Sequence, residues 1–250
     1  MRIIPWATLV LFFCGACAPP GPSADQAARR AFVLAAMVFR SGLEGSAGDS
    51  GAEARRAEML RWLDTAGVTP ALEPEEFAIL RAPLGSLTEQ QQKNAGWRSE
   101  GLAVLAWALK RWELGSFEVP ADAPAIAEAL GFMKPEGLEM LKSPELRSRS
   151  EREELARRLY LIHMRLRQAY DTKASSKSIA QLARELKVDP VKLGLVDDDL
   201  AVSGRRLAEV PREVVRYAIS TVVERHRAAN WLLGDNPVYS EVSYALRGAR

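Results

Sequence analysis

Residues Thr88–Trp112 read TEQQQKNAGWRSEGLAVLAWALKRW, and the pattern predicts one long helix. Thr88 and Gln91 form a capping box, in which each side chain satisfies an orphan backbone N–H of the other. Helical spacing sets Glu100 among Trp97, Val104 and Trp107 on one face. A carboxylate there is expensive to bury unless it is paired and hydrogen-bonded. Glu100 therefore has two readings: one half of an ion pair that fixes how helices dock, or a pocket carboxylate for acid–base chemistry or ligand binding. Arg147, in LRSRSERE, and Arg225, in VERHRAANW, are the candidate cations.

Working outward, the other segments also read as helices. Ala24–Ser41 contains AARRAFVLAAMVFR, apolar on nearly every side and hence central. GLEGSAGDSG, residues 42–51, is a break, and Ala52–Ala66 follows as a helix with Gly67 placed for its C-terminal cap. A short helix is expected over Pro74–Arg81. Ser148 and Glu151 make a second capping box, opening a helix to Tyr170 with Leu155, Leu159, Ile162 and Leu166 along one stripe. Asp171–Ser178 is a loop, Ile179–Lys187 a helix, and an irregular acidic stretch runs to Val210. Pro211 starts a last long helix reaching Leu233. No sustained period-2 alternation and no Asn-Gly or Asp-Gly hairpin signal is present. The expected class is all-α: a single multi-helix bundle-like domain with long irregular loops.

The chain has 250 residues, 48% of them apolar, enough for a substantial core. Lys and Arg number 34 against 32 Asp and Glu, a net +2 that leaves no electrostatic footprint for nucleic acid. Two Cys and two His exclude Cys-rich metal modules and disulfide scaffolds.

The N-terminus, MRIIPWATLVLFFCGAC, has one basic residue, Arg2, and an apolar stretch from Ile3 to Phe13. That stretch is short of the about 20 residues a membrane span needs, and suits a signal peptide. Gly15-Ala16-Cys17 resembles a bacterial lipobox, with Cys14 standing where Leu is usual. Three readings stay open: a lipoprotein acylated on Cys17, soluble secretion after cleavage at Ala18, or an uncleaved anchor. The first divides the chain into a signal peptide over 1–16, a lipid-anchored Cys17 with a Pro-rich tether to residue 28, and a helical domain over 29–250. It places the chain in the cell envelope, on a membrane and facing the periplasm or exterior.

His163 lies on the flank of its helix's apolar stripe beside Tyr160. His226 lies inside a stripe with Val215, Ile219, Val222 and Leu233. Both read as hydrogen-bonded core histidines. A metal site of two His with Glu100 or Glu224 lacks supporting spacing, and neither metal nor cofactor is expected. Tyr217, Glu224 and Trp231 recur every seven residues as a second stripe, for packing or for binding. Nucleophile elbows and phosphate loops are absent. IAQLARELKVDPVKL, residues 179–193, imitates a helix-turn-helix. Lys187 occupies the place of its turn Gly, and Asp197, Asp198 and Asp199 behind it would repel phosphate.

The assembled pattern resembles the bacterial family catalogued as domain of unknown function 4272. The resemblance runs from Arg29 to Leu246. It rests on RRAFVLAAMVFR, RRAEMLRWLDTAGVTPALEPEEFAIL, NAGWRSEGLAVLAWALKRWEL and VVERHRAANWLLG with YSEVSYAL. Trp97, Arg98, Glu100 and Trp107 carry its central block; Leu146, Arg147 and Ser148 carry another; Glu224, Arg225, His226, Asn230 and Trp231 carry a third. Ser243 and Tyr244 replace the family's usual threonine-bearing acidic motif. The resemblance implies an α-helical single domain with no assigned activity. It also implies that Glu100, Arg147 and the Glu224-Arg225-His226 run share one spatial cluster.

The expectation is a membrane-anchored binding or scaffolding domain that does not bind nucleic acid, its protein partner not specified by the residues. The alternative is an enzyme of hydrolase type using Glu100 with His163 or His226, in a pocket rimmed by Trp97, Trp107 and Trp231.

Overall fold

Helix α1 (Ala24–Leu43) carries alanines and large apolar residues around most of its circumference, so it is stable only where protein covers several of its sides. The computed structural model describes residues 20–171 and 179–244. In it, α1 is lined by α4 (Glu89–Ala108), α9 (Arg212–Leu232) packs along α4, and α7 (Arg149–Tyr170) packs along α9. The four long helices thus form a row, α1–α4–α9–α7. The shorter α2 (Ser50–Thr65), α3 (Pro74–Arg81), α5 (Ala123–Leu130) and α6 (Pro135–Lys142) gather around α1 and α4. The architecture is all-α and bundle-like. Among the described residues no helix is long and apolar enough to cross a membrane. The signal segment, Cys17 and most of the 171–178 loop lie outside the described residues.

The capping boxes set the helix starts. Ser23 and Gln26 close one on α1 and Thr88 and Gln91 one on α4, while Ser148 and Glu151 do the same for α7. Because the first of these begins α1 at Ala24, residues 24–28 belong to the helix and not to a tether, and Ala27 and Ala28 are fully buried. Left-handed residues close some of the helix ends. Gly67 (φ 64°) ends α2, with Val68 N–H bonded back to the Leu63 carbonyl. The same closure ends α4 four residues before the expected Trp112. There Lys110 adopts φ 62° in the place of a glycine, and Arg111 N–H reaches the Ala106 carbonyl.

Two helices and a small sheet stand where the sequence suggested none. Helices α5 and α6 occupy the interval between Trp112 and Ser148; each spans eight residues with a proline in its first turn, too short to show a period. The acidic stretch holds a three-stranded antiparallel sheet of β1 (Leu195–Val196), β2 (Asp199–Val202) and β3 (Arg205–Arg206). Its two tight turns are Asp197-Asp198 (φ 48° and 60°) and Ser203-Gly204 (φ 53° and 70°). Positive φ at both central residues is the mirror-image turn that suits twisted hairpins. Here an Asp-Asp pair adopts it without Asn-Gly or Asp-Gly. After α8 (Ile179–Glu185), Lys187 takes φ 55° and a 3-10 turn over Pro190–Leu193 leads into this sheet, so no recognition helix follows.

The core has two parts. One joins α1 to α6 with the first half of α7 and the last turns of α9; the other joins the far half of α7, α8, the sheet and the start of α9. On α9 the second part ends at Val222 and the first resumes at Ala228. Arg225 and His226 sit between them.

Candidate functional site

Glu100 and Arg225 meet in that seam. Arg225 Nε donates to Glu100 Oε2 at 2.8 Å, and the side chains are 2% and 1% exposed. Glu100 Oε1 accepts from Ala121 N–H at 2.9 Å. The other end of the guanidinium donates to the carbonyls of Gly115, Ser116 and Val119 at 2.9–3.0 Å. Each Glu100 oxygen accepts one hydrogen bond, and the pair clamps loop 115–121 onto α4 and α9. Buried and paired in this way, Glu100 takes the ion-pair role of the two that its sequence position allows.

Arg147 does not join this cluster. Its Nε donates to the Trp107 carbonyl at 2.9 Å, its Nη groups reach Glu113 (2.8 Å) and Glu151 (3.3 Å), and its guanidinium lies over the Trp107 ring. Trp107 is seven residues beyond Glu100, roughly 10 Å along the axis at 1.5 Å per residue. Arg147 therefore caps the C-terminal end of α4, where a cation complements the helix dipole.

The two histidines pair with each other. His163 Nδ1 and His226 Nδ1 are 3.2 Å apart, with Tyr160 edge-on to His226 and Tyr244 edge-on to His163. One ring must donate and the other accept, which favours neutral imidazoles. Burial, and then the neighbouring His163, push His226 down to about 4. Burial, and then Arg167, lower His163. Neither ring is bonded to Glu100, so the carboxylate–histidine arrangement of the enzyme reading is not assembled. Among the described residues no group of three His, Cys, Asp or Glu is placed to hold a metal.

The three tryptophans also part company. Trp107 lies under Arg147. Trp231 is buried against Tyr239 and donates to the Pro237 carbonyl. Trp97 lines a different cleft with Arg98 and Glu224, and its ring stands 5.4 Å from that of Tyr217, which is 44% exposed. Helix positions ten residues apart on α4, and the far end of α9, cannot rim one pocket.

That cleft, about 290 Å³ between α3, α4 and α9, holds the polar groups with unspent capacity. Two of its lining carboxylates, Glu73 and Glu76, are held from behind by residues that periodicity does not single out. Arg30 on α1 donates to both oxygens of Glu76 at 2.8 Å and to the Ala71 carbonyl at 2.7 Å. Glu73 accepts from Tyr239 N–H at 2.6 Å, tying the C-terminal 3-10 turn to α3. The Tyr239 ring is sandwiched between Arg30 and Arg98. The signal for Arg30 was present: a cation on a helix apolar all round has to find a carboxylate. Nothing in the sequence says which one.

In the same cleft, Arg98 makes a single hydrogen bond, from Nη1 to Glu224 Oε2 at 3.2 Å, while Arg227 holds the other Glu224 oxygen at 2.6 Å. The remaining Arg98 donors have no partner among the described residues, yet none is sealed from solvent. Burial opposes its charge, but the carboxylates of Glu224, Glu76 and Glu73 outweigh this and raise its pKa.

Compared with known proteins, residues 21–185 match the model of a family described as a domain of unknown function, DUF4272. The match takes in α1 to α8; the sheet and α9 lie beyond it. No curated protein and no solved structure matches the chain.

Proposed function

The chain belongs to this DUF4272 family, which carries no assigned activity, and from that premise we propose a lipid-anchored binding domain. It is held at the cell envelope through Cys17 and takes a small charged ligand in the cleft between α3, α4 and α9. The observation that carries the binding reading is Arg98. A mostly buried guanidinium with most of its donors unspent, lining a concave surface, is equipment for recognition that folding has not used. The scaffolding variant has less support. The large exposed apolar side chains among the described residues, Phe77, Val119, Met164, Val191, Val214, Tyr217 and Tyr244, are spread over α3, a loop, α7, a 3-10 turn, α9 and the segment after it, where binding to another protein favours a contiguous patch. The anchor rests on Gly15-Ala16-Cys17 after an apolar stretch too short to span a bilayer. The near-zero net charge argues against nucleic acid as partner.

Two measurements test this. Cells fed an alkyne-bearing fatty acid should label the wild-type chain and leave Cys17→Ala unlabelled; equal labelling of both rejects the anchor. A ligand-observed NMR screen of charged fragments should return binders that are lost with Arg98→Gln. Binders indifferent to that change, or none at all, reject the cleft.

A further inference from the structure

The charges lining the cleft narrow the ligand class. Four carboxylates (Glu73, Glu75, Glu76 and Glu224) face two guanidiniums, Arg98 and Arg227, a formal surplus of two negative charges. Arg30, behind Glu73 and Glu76, offsets one of them. A simple anion drawn to Arg98 would meet the field of Glu73, Glu76 and Glu224 at close range. A simple cation would leave the Arg98 donors unused.

Two of these groups are free to act on a ligand. Arg98 presents its unspent N–H donors from the α4 wall. Glu75, on the first turn of α3, lines the opposite wall and makes no ion pair or hydrogen bond among the described residues. Met37, Ile79, Ala95, Trp97 and Val223 also line the cleft, and the Trp97 ring packs against that of Tyr217. We infer that the cleft binds a zwitterion, a free amino acid with an apolar side chain, its carboxylate on Arg98 and its ammonium on the Glu75 side. A volume of about 290 Å³ is at the low end for small-ligand sites and suits one residue better than a peptide. Planar guanidinium–carboxylate pairing gives orientation, and an aromatic ring gives an apolar side chain a surface to lie on. This inference rests on the binding reading above and adds its ligand.

The test is calorimetric titration of the detergent-solubilised full chain with each of the common L-amino acids. It includes L-phenylalanine beside N-acetyl-L-phenylalanine and L-phenylalaninamide. Saturable binding of an apolar amino acid, weakened about tenfold or more by blocking either end, is the expected result. Glu75→Gln, at an exposed position, should weaken the free amino acid and leave the N-acetyl form unaffected. Arg98→Gln should remove the response to both. N-acetyl-L-phenylalanine binding as tightly as L-phenylalanine overturns the inference, as does no amino acid binding below ~10 mM. If charged fragments still bind through Arg98 in that case, the cleft remains a binding site and only its ligand class is wrong.

Discussion

Arg225 and Glu100 form a 2.8 Å ion pair where the two parts of the core meet, and the same guanidinium holds three carbonyls of loop 115–121. Replacing Glu100 by Gln leaves a buried cation without its counter-charge, and removing one member of such a pair costs about 3–5 kcal/mol. Urea unfolding should show a loss of that size for Glu100→Gln. It should be far smaller for the double change Glu100→Gln, Arg225→Met than for the two singles added together. A loss below about 1 kcal/mol for the single change would mean the pair is not the clamp.

Arg147 provides the contrast. Its carboxylate partners Glu113 and Glu151 are 87% and 46% exposed, so water screens both pairs. Arg147→Ala should cost about 1 kcal/mol, most of it from the Trp107 carbonyl and ring, and raised salt should change it little. A loss as large as that of Glu100→Gln, under the same unfolding protocol, would place Arg147 back in the buried cluster.

Acid should act through the histidine pair. His226 titrates near 6.5 when unfolded and is pushed down to about 4 when folded, by burial and by His163. Above 6.5 both states are neutral and the pair is indifferent to pH. Between 6.5 and 4 the unfolded chain binds the proton first, so stability falls as pH falls, in total by on the order of 3 kcal/mol. Unfolding midpoints measured from pH 7 to pH 4 should drop for the wild type. His226→Gln should flatten part of that drop; parallel profiles would count against it.

Two glycines of α4 should respond in opposite ways to alanine. Gly96 has ordinary room, with Ser41 Oγ 3.4 Å from where a Cβ would stand. Gly96→Ala should stabilise by about 0.5–1 kcal/mol through helix propensity. At Gly101 a Cβ would collide with the Tyr239 hydroxyl, and Tyr239 is held between Arg30, Arg98 and Trp231. Gly101→Ala should therefore destabilise by about 1–3 kcal/mol despite the better propensity. Thermal melts of the two variants side by side decide it.

The sequence by itself determined what is local. Thr88 and Ser148 announced two helix starts, and Gly67 announced a helix end, because capping depends on neighbours three or four residues apart; the start of α1 at Ser23 came only from the structure. The apolar circumference of α1 announced its central place, and Glu100 among tryptophans announced a buried partner. Tertiary structure decided the partners. Arg225 was taken over Arg147 because α9 lies along α4, while residue 147 enters only at its far end. Short elements were legible unevenly: α3 was expected, while α5, α6 and the sheet were not, since segments so short hold their form only against the rest of the fold. The cleft was the least legible feature. Glu73 at the start of α3, Arg98 on α4, Glu224 on α9 and Ser240 in the turn beyond it line one cleft, and only packing brings such distant segments to one surface.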